Sequence, residues 1–201
     1  LYLLFDSLQK LLLSATTKFN RKTHIIMFFE LTEEQKAVRD AARDFAQNVL
    51  KPGVIERDET QTFPKEEIKQ LGELRFMGMK VSPEYGGGGM DTVAYVLAME
   101  EISKVDARAS VCMSVNNSLV CWPLETYATE DQKMKWLAPL ARGEKLGAYC
   151  LSEPGAGTDA AAQSTTAKQG GDGWVLNGVK NFITNGAKAD VLSGVAQPNP
   201  Q

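Results

Sequence analysis

The stretch Tyr149-Cys150-Leu151-Ser152-Glu153-Pro154-Gly155-Ala156-Gly157-Thr158-Asp159 constrains this chain more than any other part of it. Leu146 to Leu151 is short, largely apolar and bounded by Gly143 and Pro154, which predicts a buried strand. Pro154 fixes φ, while Gly155 and Gly157 permit backbone angles and close approaches that side chains forbid. A strand ending in such a loop presents backbone N–H groups and the hydroxyls of Ser152 and Thr158 to an anionic or strongly polar ligand. The same spacing also suits an ordinary Gly-Pro turn between strands.

Two phosphate-binding motifs are excluded by the residues that come after them. Gly155-x-Gly157-x-x-Ala160 fits the dinucleotide-binding fingerprint, which requires a full helix next. Instead, Ala160 to Ala167 carries Ser164, Thr165 and Thr166 and closes on Gly170-Gly171-Asp172-Gly173, leaving room for two helical turns at most. The four glycines Gly86 to Gly89 resemble a phosphate cradle, yet no Gly-Lys-Ser/Thr succeeds them.

Composition narrows the chemistry further. The 201 residues are 43% hydrophobic and 23% charged, which suits one globular domain or one and a half. The net charge of −3 offers no basic field for nucleic acid. No apolar run approaches the ~20 residues that cross a bilayer. Cys112, Cys121 and Cys150 form no C-x-x-C and read as small buried hydrophobes in a reducing compartment. One histidine, His24, supports neither a His-based triad nor a zinc cluster. Redox chemistry on this chain therefore calls for a bound organic cofactor.

Residues 1–26 stand apart. They hold four basic residues against Asp6 alone, and removing them leaves 18 basic and 24 acidic residues, a net of −6. The segment is expected to be a leader outside the fold, with Met27 as the start. Its acid-poor, Ser/Thr-containing composition also describes a mitochondrial transit peptide.

After Met27 the pattern is helical. Thr32-x-x-Gln35 is a capping box opening a helix with Val38, Ala41, Ala42, Phe45 and Val49 on one face, expected to stop at Pro52-Gly53. A second helix starts at Phe63-Pro64, turns Ile68, Leu71 and Leu74 inward and ends at Gly78, with an extended piece from Met79 to Val81 after it. Asp91 caps a helix from Thr92 to Lys104. On it Glu100 and Glu101 point to different faces, which favours a solvated face or an ion pair over paired acid–base work. Ala109 to Tyr127 reads as helical and broken at Pro123, with the amides of Asn116 and Asn117 needing partners for packing or for a ligand. Thr129-x-x-Gln132 repeats the capping box, and Arg142-Gly143 ends the last helix.

From Lys145 the period changes to that of strands. Thr165 to Lys168 and Trp174 to Leu176 flank the glycine cluster, and Asn177-Gly178 predicts a hairpin turn. Val179 to Thr184 is expected to return as a strand. Asn185-Gly186 turns again, and Asp190 to Ala196 supplies one more strand. The fold class is thus α+β, with an all-α unit over residues 27–144 and a partial antiparallel, β-barrel-like unit over residues 145–201.

With these pieces in place the chain resembles the acyl-CoA dehydrogenase family of flavoenzymes, and within it the short-chain (butyryl-CoA) branch. The matching stretches are Leu31-Thr32-Glu33-Glu34-Gln35, Pro83-Glu84-Tyr85-Gly86-Gly87, Ser114-Val115-Asn116-Asn117-Ser118, Tyr149 to Asp159, and Gly178-Val179-Lys180-Asn181-Phe182-Ile183-Thr184-Asn185-Gly186. The likeness runs from about Phe28 to Val191.

The resemblance implies an N-terminal helical domain, a middle β domain that binds FAD in extended form, and a C-terminal helical domain not found in this sequence. By motif position it implies that Tyr149, Cys150, Leu151, Ser152, Gly157 and Thr158 border the flavin. Ser152 would be a hydroxyl donor near N5 and Leu151 a source of backbone contacts. Phe182, Ile183 and Thr184 would lie along the isoalloxazine ring, and Thr158 would also contact the acyl-CoA. Glu153 looks structural in this motif.

The reaction implied is FAD-dependent α,β-dehydrogenation of a short-chain acyl-CoA to the trans-2-enoyl-CoA, in fatty-acid or amino-acid catabolism. Electron-transfer flavoprotein would be the acceptor and a homotetramer the full-length assembly. A bacterial cytoplasm is the expected compartment, with the mitochondrial matrix as alternative. The family's catalytic glutamate falls beyond residue 201, so no catalytic residue is expected within the chain, which alone is expected to be inactive. Rival readings are a helical binding module without redox chemistry, and a flavin-dependent acyl-CoA oxidase or monooxygenase of the same fold.

Overall fold

A computed structural model describes residues 29–171 and 173–198. The expected leader, 1–26, lies outside the described residues, as do Met27 and His24. The described residues from Thr32 onward form one compact unit.

Local caps start the helices where the sequence places them. Helix α1 (Glu33–Phe45) opens on Thr32, whose hydroxyl accepts the Gln35 N–H at 3.1 Å while Gln35 Oε1 accepts the Thr32 N–H at 3.1 Å. Such a reciprocal cap contributes about 1 kcal/mol. Pro52-Gly53 does not end the helical path. It passes through a π turn (Ala46–Leu50) and a 3-10 turn (Lys51–Gly53) into α2 (Val54–Glu59). The Lys51 N–H reaches back five residues to Ala46 O, so Pro52 enters the first turn of a new segment, where its missing donor costs little.

Helix α3 (Lys65–Glu73) begins after Pro64 and buries Ile68 and Leu71. Leu74 is exposed rather than inward, because the helix has ended and Arg75 turns the chain at φ +66°. Gly78 belongs to a separate 3-10 turn (Phe76–Gly78), and Met79–Val81 is turn rather than extended chain. The glycine loop folds back on that turn: Gly88, Met90 and Gly89 donate to Gly78 O, Met79 O and Val81 O at 2.8–2.9 Å. At Gly87 a Cβ would stand 2.1 Å from Val81 O, so the glycine run serves backbone-on-backbone packing.

Helix α4 (Thr92–Ser103) is capped by Asp91, which accepts the Ala94 N–H at 2.7 Å. Helix α5 (Ala107–Ser114), a π turn (Val115–Cys121) and α6 (Trp122–Tyr127) form one helical path that runs through Pro123 rather than breaking there. Again the residue ahead of the proline reaches back five positions, Trp122 N–H to Asn117 O. Helix α7 (Glu130–Gln132), a π turn (Lys133–Leu137) and α8 (Ala138–Ala141) repeat the device at Pro139, and Gly143 ends the run at φ +71°.

Two apolar clusters hold this helical part. One gathers Phe45, Leu50, Leu71, Met77 and Ile102, and the other Val120, Leu137 and Leu140. Each such side chain contributes about 1.5–3 kcal/mol on burial.

The fold as a whole is α+β as expected, but the strand pairing from residue 145 on is mixed rather than antiparallel. Strand β1 (Gly147–Cys150) pairs in parallel with β4 (Val191–Gly194), Gly147 opposite Val191. Strand β2 (Thr166–Gly170) pairs antiparallel with β3 (Gly173–Asn177) and in parallel with β5 (Gln197–Pro198). No closed barrel forms among the described residues. The hairpin turns at Gly170–Gly173, not at Asn177-Gly178. Val179 to Thr184 is irregular rather than a strand. Gly178 is pressed onto Thr165, where a Cβ would meet Oγ1 at 2.3 Å, and Phe182 takes φ +55°, which breaks any extended run.

Candidate functional site

The two motif stretches meet where β1 ends. The Ser152 carbonyl accepts the Asn181 N–H at 3.0 Å, and the Leu151 carbonyl accepts Lys180 Nζ at 3.0 Å. Lys180 also donates to Glu153 Oε1 and Gln163 Oε1, each at 2.7 Å, so its three N–H groups are all engaged. Glu153, 2% exposed, collects two further N–H groups and a hydroxyl: Ser164 N at 2.6 Å, Ser164 Oγ at 2.8 Å and Thr165 N at 3.0 Å. The Lys180 ammonium first, and then the Thr165 and Ser164 donors, hold its carboxyl far below the ordinary glutamate range. Glu153 is therefore a buttress. The Pro154-Gly155 turn is tied across by Glu153 and Ala156, bonded in both directions at 2.9 and 3.1 Å.

The second stretch is fastened on its far side as well. Asn185 Nδ2 donates to the Gly147 carbonyl at 3.0 Å, and the Gly147 N–H donates to Asn116 Oδ1 at 2.9 Å. Phe182, Ile183 and Thr184 lie between these fastenings. Phe182 is 93% exposed, and its left-handed backbone costs about 1–2 kcal/mol.

The remaining expected site residues differ in their exposure. Tyr149 is half-buried against the Val120 cluster, and Cys150 is half-buried, its thiol pushed up by burial. Leu151 has its carbonyl committed to Lys180. Ser152 and Thr184 are half-buried, while Gly157 and Thr158 are exposed. Gly155 and Gly157 have neither positive φ nor a neighbour within 4 Å of an added Cβ. Their missing side chains leave open surface instead of serving an internal contact.

A cleft of about 610 Å³ separates Ile183–Lys188 from Phe63, Arg108, Val111 and Cys112 of the helical part. Ile183 and Thr184 line it, whereas Ser152 and Thr158 lie outside its lining. The structure thus joins the two motifs through backbone and the Lys180 hub, not in one cavity.

These residues fit a flat, hydrogen-bonding group such as a flavin. An exposed aromatic ring stands at Phe182, and Asn181 Oδ1 is buried without a donor among the described residues. Among those residues, the hydroxyls of Ser152, Thr158 and Thr184 are not engaged in side-chain hydrogen bonds. When bound, a flavin supplies hydride acceptance. The groups this chain would offer it are the hydroxyls of Ser152, Thr158 and Thr184 and the neighbouring backbone.

Lys180, Asn181 and Asn185 lie in the matching stretch Gly178 to Gly186 without a site role of their own in the sequence reading, and Gln163 was not singled out; their partners emerge from the structure. Glu101 forms an ion pair with Arg43 at 3.0 Å and is buried, and Glu100 pairs with Lys104 at 3.0 Å, as the ion-pair reading of that helix required. Asn116 and Asn117 are buried and turned inward, Asn117 donating to Phe76 O and Met113 O and accepting the Met79 N–H. Among the described residues there is no three-ligand metal cluster, and no helix is long and apolar enough to cross a membrane.

Comparison with known proteins agrees with this geometry. Residues 32–144 match the acyl-CoA dehydrogenase N-terminal domain model and residues 148–201 match the middle domain model. The chain is 50% identical to the short-chain-specific acyl-CoA dehydrogenase of Clostridium acetobutylicum over 83% of its length and 44% of that protein. It superposes on butyryl-CoA dehydrogenase from Megasphaera elsdenii with TM-score 0.80 and 43% identity, covering 85% of this chain and 45% of the other. A glutaryl-CoA dehydrogenase from Mycobacterium smegmatis in complex with FADH2 gives TM-score 0.80 at 36% identity, covering 84% and 44%. The chain spans less than half the length of these relatives. On this evidence the chain belongs to the acyl-CoA dehydrogenase family.

Proposed function

We propose that this chain forms the flavin-facing part of an FAD-dependent short-chain acyl-CoA dehydrogenase. The observation that carries the reading is the meeting of the Ser152 and Phe182–Thr184 stretches at the end of β1, where Asn181 bonds Ser152. Residues 27–144 act as the helical domain and residues 145–201 as part of the middle domain, a division supported by the two family matches.

In this reading Tyr149, Cys150, Leu151, Ser152, Gly157 and Thr158 border the flavin, and Phe182, Ile183 and Thr184 lie along its ring. Hydroxyls and backbone N–H groups of these stretches would stabilise negative charge on the ring, and one such donor lowers a barrier by about 2–4 kcal/mol. Thr158, which is exposed, is assigned the contact to the acyl-CoA by motif position. The α proton is weakly acidic, so the thioester must be polarised in a site shielded from water. Its base is assigned by family likeness to a glutamate outside residues 1–201. Electron-transfer flavoprotein as acceptor and a homotetramer come from the same likeness; a bacterial cytoplasm is the setting proposed, with the mitochondrial matrix as alternative, relatives of both kinds being matched.

Flavin uptake tests the reading. The chain is incubated with FAD, desalted and examined by absorbance, then assayed with butyryl-CoA and a dye acceptor. Retained flavin, weakened by Ser152→Ala and Thr184→Ala, with no dye reduction by this chain alone, is the expected result. Absence of retained flavin overturns the cofactor assignment. Turnover by this chain overturns the placement of the base.

A further inference from the structure

The segment Phe182-Ile183-Thr184 is not held by a sheet. Strand pairing stops at Asn177 and resumes at Val191. Within the gap the backbone bonds are Asn181 N–H to Ser152 O, Asp190 N–H to Leu146 O at 2.8 Å, and a local turn, Gly186, Lys188 and Ala189 donating to Ile183 O and Asn185 O. Three side chains supply the remaining hold on the rest of the fold: Asp190, next to β4, accepts the Leu146 N–H at 2.9 Å, and two others stand closer to Phe182–Thr184. Lys180, 14% exposed, reaches Leu151 O, Glu153 and Gln163 on one flank. Asn185 reaches Gly147 O on the other, from a backbone at φ +67°.

We propose that Lys180 and Asn185 are positioning residues which clamp Phe182-Ile183-Thr184 from both flanks onto β1 and its exit loop and so set the orientation of this segment toward the flavin. The assignment rests on the flavin reading above. Both anchor points lie on one short stretch: Gly147 begins β1 and Leu151 comes directly after its end. The residues on either side of the segment are therefore referred to one rigid strand. The Gly147 N–H is itself fixed by Asn116 of the helical part, so β1 cannot slide while that bond stands. A strained, exposed aromatic at Phe182 persists only where its surroundings over-determine it. Without the clamps the segment has little to prevent its relaxing to ordinary backbone angles. Charge neutralisation of Glu153 alone would explain Lys180. It does not explain Asn185, which carries no charge and grips the opposite side.

The test uses the 201-residue chain with Asn185→Ala and Lys180→Met, each examined by amide hydrogen exchange and by FAD titration. Each variant is expected to speed exchange of amides 181–187 by about tenfold or more while those of α1 and α4 stay within about twofold. Each is also expected to weaken FAD binding by about tenfold or more and to alter the vibronic shape of the flavin absorbance band. Unchanged exchange at 181–187 overturns the clamp, and loosened exchange with unaltered FAD affinity and spectrum overturns its orienting role. Should Lys180→Met unfold the chain, Asn185→Ala, which leaves the charge pair intact, decides the matter. If the unaltered chain binds no FAD, the flavin reading and the orienting role fall together, and exchange still decides whether the clamp exists.

Discussion

Asn116 Oδ1 accepts the Gly147 N–H at 2.9 Å, fastening the first residue of β1 to the helical part of the molecule. The same amide donates to Met77 O at 2.8 Å and Leu140 O at 3.2 Å, so one fully buried side chain joins three pieces of backbone. Asn116→Leu keeps the volume and removes all three bonds. It should cost about 3 kcal/mol, read as a lower urea midpoint at unchanged slope, because the stranded backbone groups stay buried. A loss below about 1 kcal/mol would show that water reaches them.

The Glu153–Lys180 pair predicts an acid limb in stability. Glu153 titrates lower in the folded chain than its ordinary value near 4.5, so its contribution is complete above that value. The contribution is lost as pH falls from there through the folded value. Glu153→Gln should lower stability at neutral pH and shrink the difference between urea midpoints at about pH 7 and about pH 3.5. An undiminished difference would assign the acid limb to other carboxylates.

Thiol reactivity should rank the cysteines. Burial pushes Cys112 up to about 11 and Cys121 up to about 12; Cys150 is raised by burial as well, but it is half-buried and Lys180 acts against the rise. Iodoacetamide at mildly alkaline pH should modify Cys150 first and the other two only on unfolding, because the thiolate is the nucleophile. Mass mapping of the labelled peptides reads this directly. Early labelling of Cys121 would mean that the Val120–Leu140 cluster opens.

Gly72 and Gly143 touch backbone to backbone. A Cβ on Gly72 would lie 2.7 Å from Gly143 Cα and 2.9 Å from Arg142 O. Gly72→Ala should therefore cost about 1–3 kcal/mol, although alanine is the better helix former. Thermal denaturation decides the sign, and a neutral or stabilising outcome would mean that α3 shifts freely.

Local chemistry was the legible part of the sequence. The caps at Thr32, Asp91 and Thr129 need partners three residues away, so they could be read directly. The turn assignments were harder. Gly170–Gly173 and Asn177-Gly178 are both turn-competent, and the choice falls to packing of Gly178 on Thr165 and capture of Lys180 by Glu153. Pro52 and Pro123 read as breaks because a π turn leaves no mark on a 3.6-residue pattern. Among the candidate site residues, the motif stretches could be found. The hub could not, since a lysine is expected in water and its acceptors, Leu151 and Glu153 in one loop and Gln163 ten residues on, are distant from Lys180 in the chain.

The three π turns have a consequence for how such a chain tolerates change in length. Each inserts one residue into a turn, rotating everything after it by about 100° relative to a regular helix. Deleting one residue between Asp106 and Pro123 would restore regular winding and swing Trp122 to Tyr127 to another bearing. An added residue would do the reverse. The helices that lead into Pro52, Pro123 and Pro139 are therefore counted segments, intolerant of gaps, whereas the exposed Gly170–Gly173 hairpin can lengthen freely.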